Sequence, residues 1–281
     1  LTKTSTSSNK NKSYKVRIQQ DNITYNIRIA NMPTILITGA TSGFGRATAE
    51  LFADKGWSLI LTGRRTQYLN NLYSKLHSKT AIHIITLDVR DTDQVFQTLS
   101  ELPPPFKEID VLINNAGLAL GLETADQANL SDWHQMIETN ITGLVNVTRA
   151  ILPQMKTANR GYIINIGSIA ANTPYIGGNV YGATKAFVDQ FTKNLRTDLL
   201  GTKIRATTIA PGLAETEFSI VRFKGDKNRA EQVYKDLKPL AAEDIANTID
   251  WLVETPEHMN VNHLEIMPTC QTWAGVTAKP N

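Results

Sequence analysis

Seven short runs dominated by β-branched and aliphatic residues recur along the chain, at 34–38, 58–62, 82–87, 111–114, 162–166, 205–209 and 263–266. Several are apolar at every position rather than at alternate ones, the pattern of strands covered on both faces. Amphipathic segments with a helical period separate them, at about 44–55, 65–77, 91–100, 131–156, 180–200 and 243–254. Strand and helix in such regular alternation predict right-handed crossovers and an α/β fold, a doubly wound parallel sheet of about seven strands with helices on both faces. No internal repeat and no linker interrupts the pattern after residue 32, so residues 32–281 read as one domain; Pro103-Pro104-Pro105 stops a helix within it.

Composition changes this picture at one end only. The first 31 residues carry six Lys or Arg against the single acid Asp21, a net +5, whereas the whole chain carries +3; residues 32–281 are therefore at −2 and present no nucleic-acid footprint. The basic stretch is rich in Ser, Thr, Lys and Asn and lacks the apolar core of a secretory signal, so residues 1–31 are predicted to be a disordered N-terminal extension. Met32-Pro33 falls just before the first strand, where a native start is expected; an organelle presequence is the competing reading, weakened by only two Arg and no clear amphipathic face. No apolar run approaches the roughly 18 residues of a membrane span. A single cysteine, Cys270, excludes an internal disulfide, and the five histidines (77, 83, 134, 258, 263) lack ligand spacing, so no metal is expected and a cytoplasmic compartment fits best.

The first strand runs into Thr38-Gly39-Ala40-Thr41-Ser42-Gly43-Phe44-Gly45 and then a helix. Gly39 permits a tight turn, while Gly43 and Gly45 let bare backbone of the Thr41, Ser42 and Phe44 loop approach a pyrophosphate at the helix N-terminus. The end of the second strand selects between dinucleotides. An acid there would take a ribose 2′-hydroxyl, but the chain reads Thr62-Gly63-Arg64-Arg65. Two guanidinium groups suit a 2′-phosphate, each charge-assisted bond contributing roughly 1.5–3 kcal/mol, so NADP(H) is the expected cofactor; a solvated Arg pair opening a helix is the alternative. Asp88-Val89, ending the third strand, is expected beside the adenine, with a helix cap for the segment at Asp91 as Asp88's other use, and Asn115, after the fourth strand, beside the ribose.

Tyr181 and Lys185 are i and i+4 on one predicted helix and share a face. A free phenol, with a pKa near 10, is almost inert as a base at neutral pH. A cation about 4 Å away favours its phenolate by roughly 4 kcal/mol at an effective dielectric of 20, which assigns Lys185 as the activator of Tyr181 and, further, as a ligand of the nicotinamide ribose. Ser168, past the fifth strand, is placed to hold a substrate oxygen against Tyr181. Asn140, a poor helix former inside the long helix, is assigned to a water chain returning protons to Lys185. Any Tyr-x-x-x-Lys can arise on a surface helix; all four residues in this order between these strands argue against accident.

The glycine turn, Leu87-Asp88-Val89-Arg90, Asn115-Ala116-Gly117, Asn179-Val180-Tyr181-Gly182-Ala183-Thr184-Lys185 and Phe218 to Asp226 together resemble the short-chain dehydrogenase/reductase family, and within it the NADP-dependent 3-hydroxy acid dehydrogenases, over essentially all of 32–281. The resemblance implies a Rossmann-type fold, Asn140, Ser168, Tyr181 and Lys185 as the catalytic set, and Pro211, Gly212 and Thr216 at the nicotinamide. It implies small 3-hydroxy acids as substrates (L-serine, L-allo-threonine, 3-hydroxyisobutyrate, 3-hydroxypropionate), oxidised to 3-oxo acids, and a homotetramer built on helices around 91–156 and 180–200. The segment 211–218 is one residue shorter than in some members, which leaves the fit of the substrate-covering segment open. Arg222 on that segment is read as the clamp for the substrate carboxylate, beside Ser168 and Tyr181, with a structural ion pair as the alternative and Lys224 as a solvated neighbour. Two other functions stay open: an NADPH carbonyl reductase for larger apolar ketones, and an NADPH-binding protein without turnover.

Overall fold

The computed structural model describes residues 32–273; the extension expected over residues 1–31 lies outside the described residues. Seven strands, β1 (Thr34–Ile37), β2 (Ser58–Gly63), β3 (Ile82–Thr86), β4 (Val111–Asn114), β5 (Gly161–Ile166), β6 (Ile204–Pro211) and β7 (His263–Ile266), form one sheet in the order β3-β2-β1-β4-β5-β6-β7. Every pairing is parallel, with Ile35 opposite Leu59 on one side and Val111 on the other. The order reverses direction between β1 and β4, so the crossovers leave a crevice beyond the carboxyl ends of these strands.

Side-chain alternation along the strands sorts two cores. Ile35, Ile37, Leu59, Leu61 and Ile113 face α1 (Gly43–Asp54), α2 (Thr66–Leu76) and, at the other end of the sequence, α9 (Ala242–Glu254) through Phe52, Leu69, Leu72, Ile245 and Ile249. Leu36, Ile60, Leu112 and Ile163 face the opposite layer, α3 (Thr92–Ser100), α5 (Gly143–Ala158) and α6 (Asn179–Asp198), through Val95, Val147, Ile151 and Leu195. The period-2 side-chain geometry of a strand thus divides the apolar runs between two helical layers, which is why those runs carry no polar alternation.

Three departures from the predicted elements bear on function. The helix expected over 131–156 is two helices, α4 (Leu130–Ile137) and α5, joined by a π turn at Glu138–Thr142. Two short helices, α7 (Glu217–Arg222) and α8 (Lys227–Gln232), form after β6 where none was foreseen. Finally, Asp91 caps α3 by accepting from Gln94 N, so the cap is not Asp88. Among the described residues, no helix is long and apolar enough to cross a membrane, and no group of three or more His, Cys, Asp or Glu could hold a metal ion.

Candidate active site

A cavity of about 390 Å³ opens at the carboxyl ends of the strands. Its floor is the glycine turn. Gly39 and Gly43 adopt φ of +65° and +50°, which side-chain-bearing residues rarely tolerate, and a Cβ at Gly45 would lie 2.5 Å from the Gly39 carbonyl oxygen. Ser42 precedes α1 in an extended conformation without giving a side-chain cap, and the first turn of α1 contains no acid. The amide groups there are left for an anion, with Thr41, Ser42, Gly43 and Phe44 lining the cavity.

The turn is held from behind by residues that the sequence reading partly missed. Thr38 Oγ1 accepts from the Asn115 and Ala116 amides at 3.0 Å each, and Asn115 Nδ2 donates to the Thr38 and Gly39 carbonyls. Asn115 therefore lines the cavity, but its side-chain amide stitches β1 to β4. Arg64 is exposed at the rim; Arg65 is half-buried, donating to Thr41 Oγ1 and pairing with Glu217. Both oxygens of Asp88 are gripped by Arg90, which holds that carboxyl below its usual range, and Val89 is clamped by the start of α5, where Asn146 donates to its carbonyl.

Tyr181 and Lys185 lie one turn apart near the start of α6, and both are buried. α6 approaches the 3₁₀ turn Ile169–Ala171 closely, since a Cβ on Gly182 would stand 3.0 Å from the Ala170 carbonyl. Ser168 caps that turn with its Oγ accepting from the Ala170 amide, and its hydroxyl favours the ionised form of Tyr181. Burial pushes the Tyr181 phenol up to about 12, against the opposing charge of Arg222 and the bond from Ser168. Lys185, read from the sequence as the cation that activates Tyr181, has its Nζ 5.9 Å from the Tyr181 ring centroid and donates to the Ile166 carbonyl at 2.8 Å. Arg222 is a second cation at the same ring, its guanidinium 5.1 Å from the centroid. Burial lowers the Lys185 pKa to about 8.

Asn140 sits in the π turn, where its amide donates to the Leu118 carbonyl and Thr184 Oγ1 and accepts from Leu118 N at 2.9 Å. The extra residue of such a turn aims one side chain out of the helical register. Both amide protons are spent within the protein, so a water chain has only the second lone pair of Oδ1 to use.

The remaining wall follows β6. Pro211 ends that strand, the Gly212 amide donates to the Ile266 carbonyl, and Thr216 caps α7 where a Cβ at Gly43 would lie 3.3 Å from it. Arg222, at the end of α7, lies 5.1 Å over the Tyr181 ring and donates through Nη2 to Tyr175 Oη at 2.9 Å. Its Nε is buried without a partner, and it makes no ion pair among the described residues. Lys224 is exposed, as expected of a solvated side chain, and pairs with Asp132 at 2.8 Å. Gln271 was missed altogether: its Oε1 accepts from Leu213 N at 2.6 Å, leaving Nε2 buried and unpaired in the cavity wall. No local pattern marks Gln271 or Tyr175, whose places depend on distant segments meeting.

A family model described as short chain dehydrogenase matches residues 33–227. The chain is 54% identical over 241 residues to a sulfoacetaldehyde reductase of Chromohalobacter salexigens, spanning 85% of this chain and 96% of that one. It is 50% identical over 243 residues to an NADP-dependent 3-hydroxy acid dehydrogenase of Escherichia coli, spanning 86% and 97%. Among solved structures, a closed form of serine dehydrogenase complexed with NADP+ matches with a TM-score of 0.84 at 49% identity, over 88% of this chain and all of that one.

Proposed function

The chain belongs to the short chain dehydrogenases and is an NADP(H)-dependent oxidoreductase acting on CH–OH groups, and we propose that it interconverts small 3-hydroxy acids and their 3-oxo acids. The cavity suits the cofactor in three respects: the uncapped, acid-free first turn of α1, the glycine at 45 where no Cβ fits, and two arginines without an acid at the end of β2. In this reading the Thr41 to Gly45 loop holds the pyrophosphate, Arg64 and Arg65 the 2′-phosphate, Asp88 and Val89 the adenosine, Asn115 and Lys185 the riboses, and Pro211, Gly212 and Thr216 the nicotinamide. When bound, NADP(H) supplies the hydride acceptor or donor.

Tyr181 acts on the proton. In oxidation its phenolate accepts the proton of the substrate hydroxyl; in reduction its phenol donates one to the carbonyl oxygen. Ser168 donates to the same oxygen and orients it. Arg222 and Ser168 offset part of the burial that disfavours the phenolate. Asn140 fixes the Leu118 backbone beside Lys185, which relays the proton toward solvent.

The observation that carries the substrate class is Arg222. A guanidinium beside Tyr181, without a carboxylate partner and with a buried unpaired Nε, is suited to an anion brought by the substrate. A sulfonate would satisfy the same fork, and the 54% identical sulfoacetaldehyde reductase makes reduction of a sulfonated aldehyde the second reading. The test follows nicotinamide absorbance with NADP+ and L-serine, 3-hydroxypropionate, 3-hydroxyisobutyrate, 2-hydroxyethanesulfonate or a neutral secondary alcohol. Turnover of the carboxylic acids, with Arg222→Ala losing roughly tenfold or more of their kcat/KM relative to the alcohol, is expected. Turnover confined to the sulfonate moves the assignment to the second reading; turnover confined to the alcohol overturns both.

A further inference from the structure

Arg65 is shared between two parts of the site that cofactor and substrate would occupy separately. Its Nε and Nη2 donate to Thr41 Oγ1 at 3.2 and 2.9 Å, its Nη1 donates to Glu217 Oε2 at 2.9 Å, and its guanidinium lies 4.2 Å over the Tyr68 ring. Thr41 belongs to the glycine turn. Glu217 opens α7, the helix that carries Phe218, 5.7 Å from the Tyr181 ring, and Arg222. One side chain thus ties the end of the cavity assigned to the 2′-phosphate to the helix over the reacting hydroxyl.

Glu217 is not required as a cap for α7, because Thr216 Oγ1 already accepts from Phe218 N. Its carboxylate is turned onto Arg65, both side chains being 39% exposed, and Arg65 and Glu217 line the same cavity. A carboxylate and a phosphate dianion on one fork repel each other, so the two anions exclude one another in part.

We propose that Glu217 is a specificity-determining residue: an internal competitor for Arg65 that the 2′-phosphate of NADP(H) displaces, and whose displacement releases the first turn of α7 to adjust over the substrate. With NAD(H), which lacks that phosphate, the ion pair persists and α7 stays tied to the β2 end. The proposal rests on the assignment of Arg65 to the 2′-phosphate made above.

The test compares wild type with Glu217→Gln, which keeps the shape and removes the charge. NADPH, NADH, 2′,5′-ADP and 5′-AMP are titrated by fluorescence. Affinity for NADPH and 2′,5′-ADP is expected to rise about threefold to fivefold while NADH and 5′-AMP do not change. In an Arg65→Gln background the same substitution should give no gain. The KM for the hydroxy acid should fall in Glu217→Gln more with NAD+ than with NADP+, a split that a merely structural role would not produce. Equal gains for NADPH and NADH, or no gain for NADPH, overturn the competition. Wild-type protein without any preference for NADPH overturns the arginine assignment itself, a different result from the first.

Discussion

Burial acts on Tyr181 and Lys185 in opposite directions, because it disfavours the charged form of each. The phenol is pushed up to about 12 and the ammonium down to about 8. The lysine makes a measurable claim about stability. Between pH 8 and its ordinary value of 10.5, the unfolded chain keeps a proton that the folded chain has released. Folding therefore becomes more favourable as pH rises through that window, and the cost of the buried ammonium is felt in full below it. A shift of this size corresponds to roughly 3 kcal/mol. Lys185→Met removes the ionisable group, so its stability relative to wild type should fall by roughly 2–3 kcal/mol between pH 7.5 and 10, read from urea unfolding at each pH. A difference that did not change with pH would mean that burial does not depress this lysine.

At the scale of elements, the glycine turn is where local conformation and site geometry coincide. A methyl at position 45 would meet the Gly39 carbonyl at 2.5 Å and Asn115 Nδ2 at 2.6 Å, and the first of these is backbone that cannot swing aside. Gly45→Ala should weaken NADPH binding by at least roughly tenfold and lower the melting temperature, because relief requires parting β1 from the 115 segment. Binding and melting unchanged from wild type would show that the turn relaxes freely. The sequence made this turn legible because its chemistry is local, and the strands were legible because full burial removes polar alternation. α7 and α8 were not: six residues complete fewer than two turns, too few for an amphipathic period to emerge. The π turn at Asn140 was hidden for a related reason, since one extra residue barely disturbs a helical pattern. Tyr175, Glu217 and Gln271 carry no local signal at all, and only the folded chain brings them to Arg222, Arg65 and Leu213.

For the whole molecule, the outer face of α6 carries an aromatic pair open to solvent. Phe187 on α6 is 36% exposed and stacks on Phe191 at 5.8 Å, and Ile137 at the end of α4 is also exposed. Phe187 and Phe191 are spaced one turn apart on the helix that also presents Tyr181 and Lys185 to the cavity. Covering that face with the same face of a second chain would bury the aromatic pair and stiffen the element that positions the reacting groups, an isologous contact of the kind closed assemblies use. One such isologous face closes a dimer, and the homotetramer expected from the family resemblance joins two of these dimers through a second face. Sedimentation equilibrium should give four chains per particle for wild type. Phe187→Asp, which places a charge in the centre of the face, should give smaller particles with unchanged helical circular dichroism and a melting temperature that depends less on protein concentration. A wild-type particle of one chain, or a tetramer untouched by Phe187→Asp, would remove α6 from the assembly and leave its aromatic pair to another use.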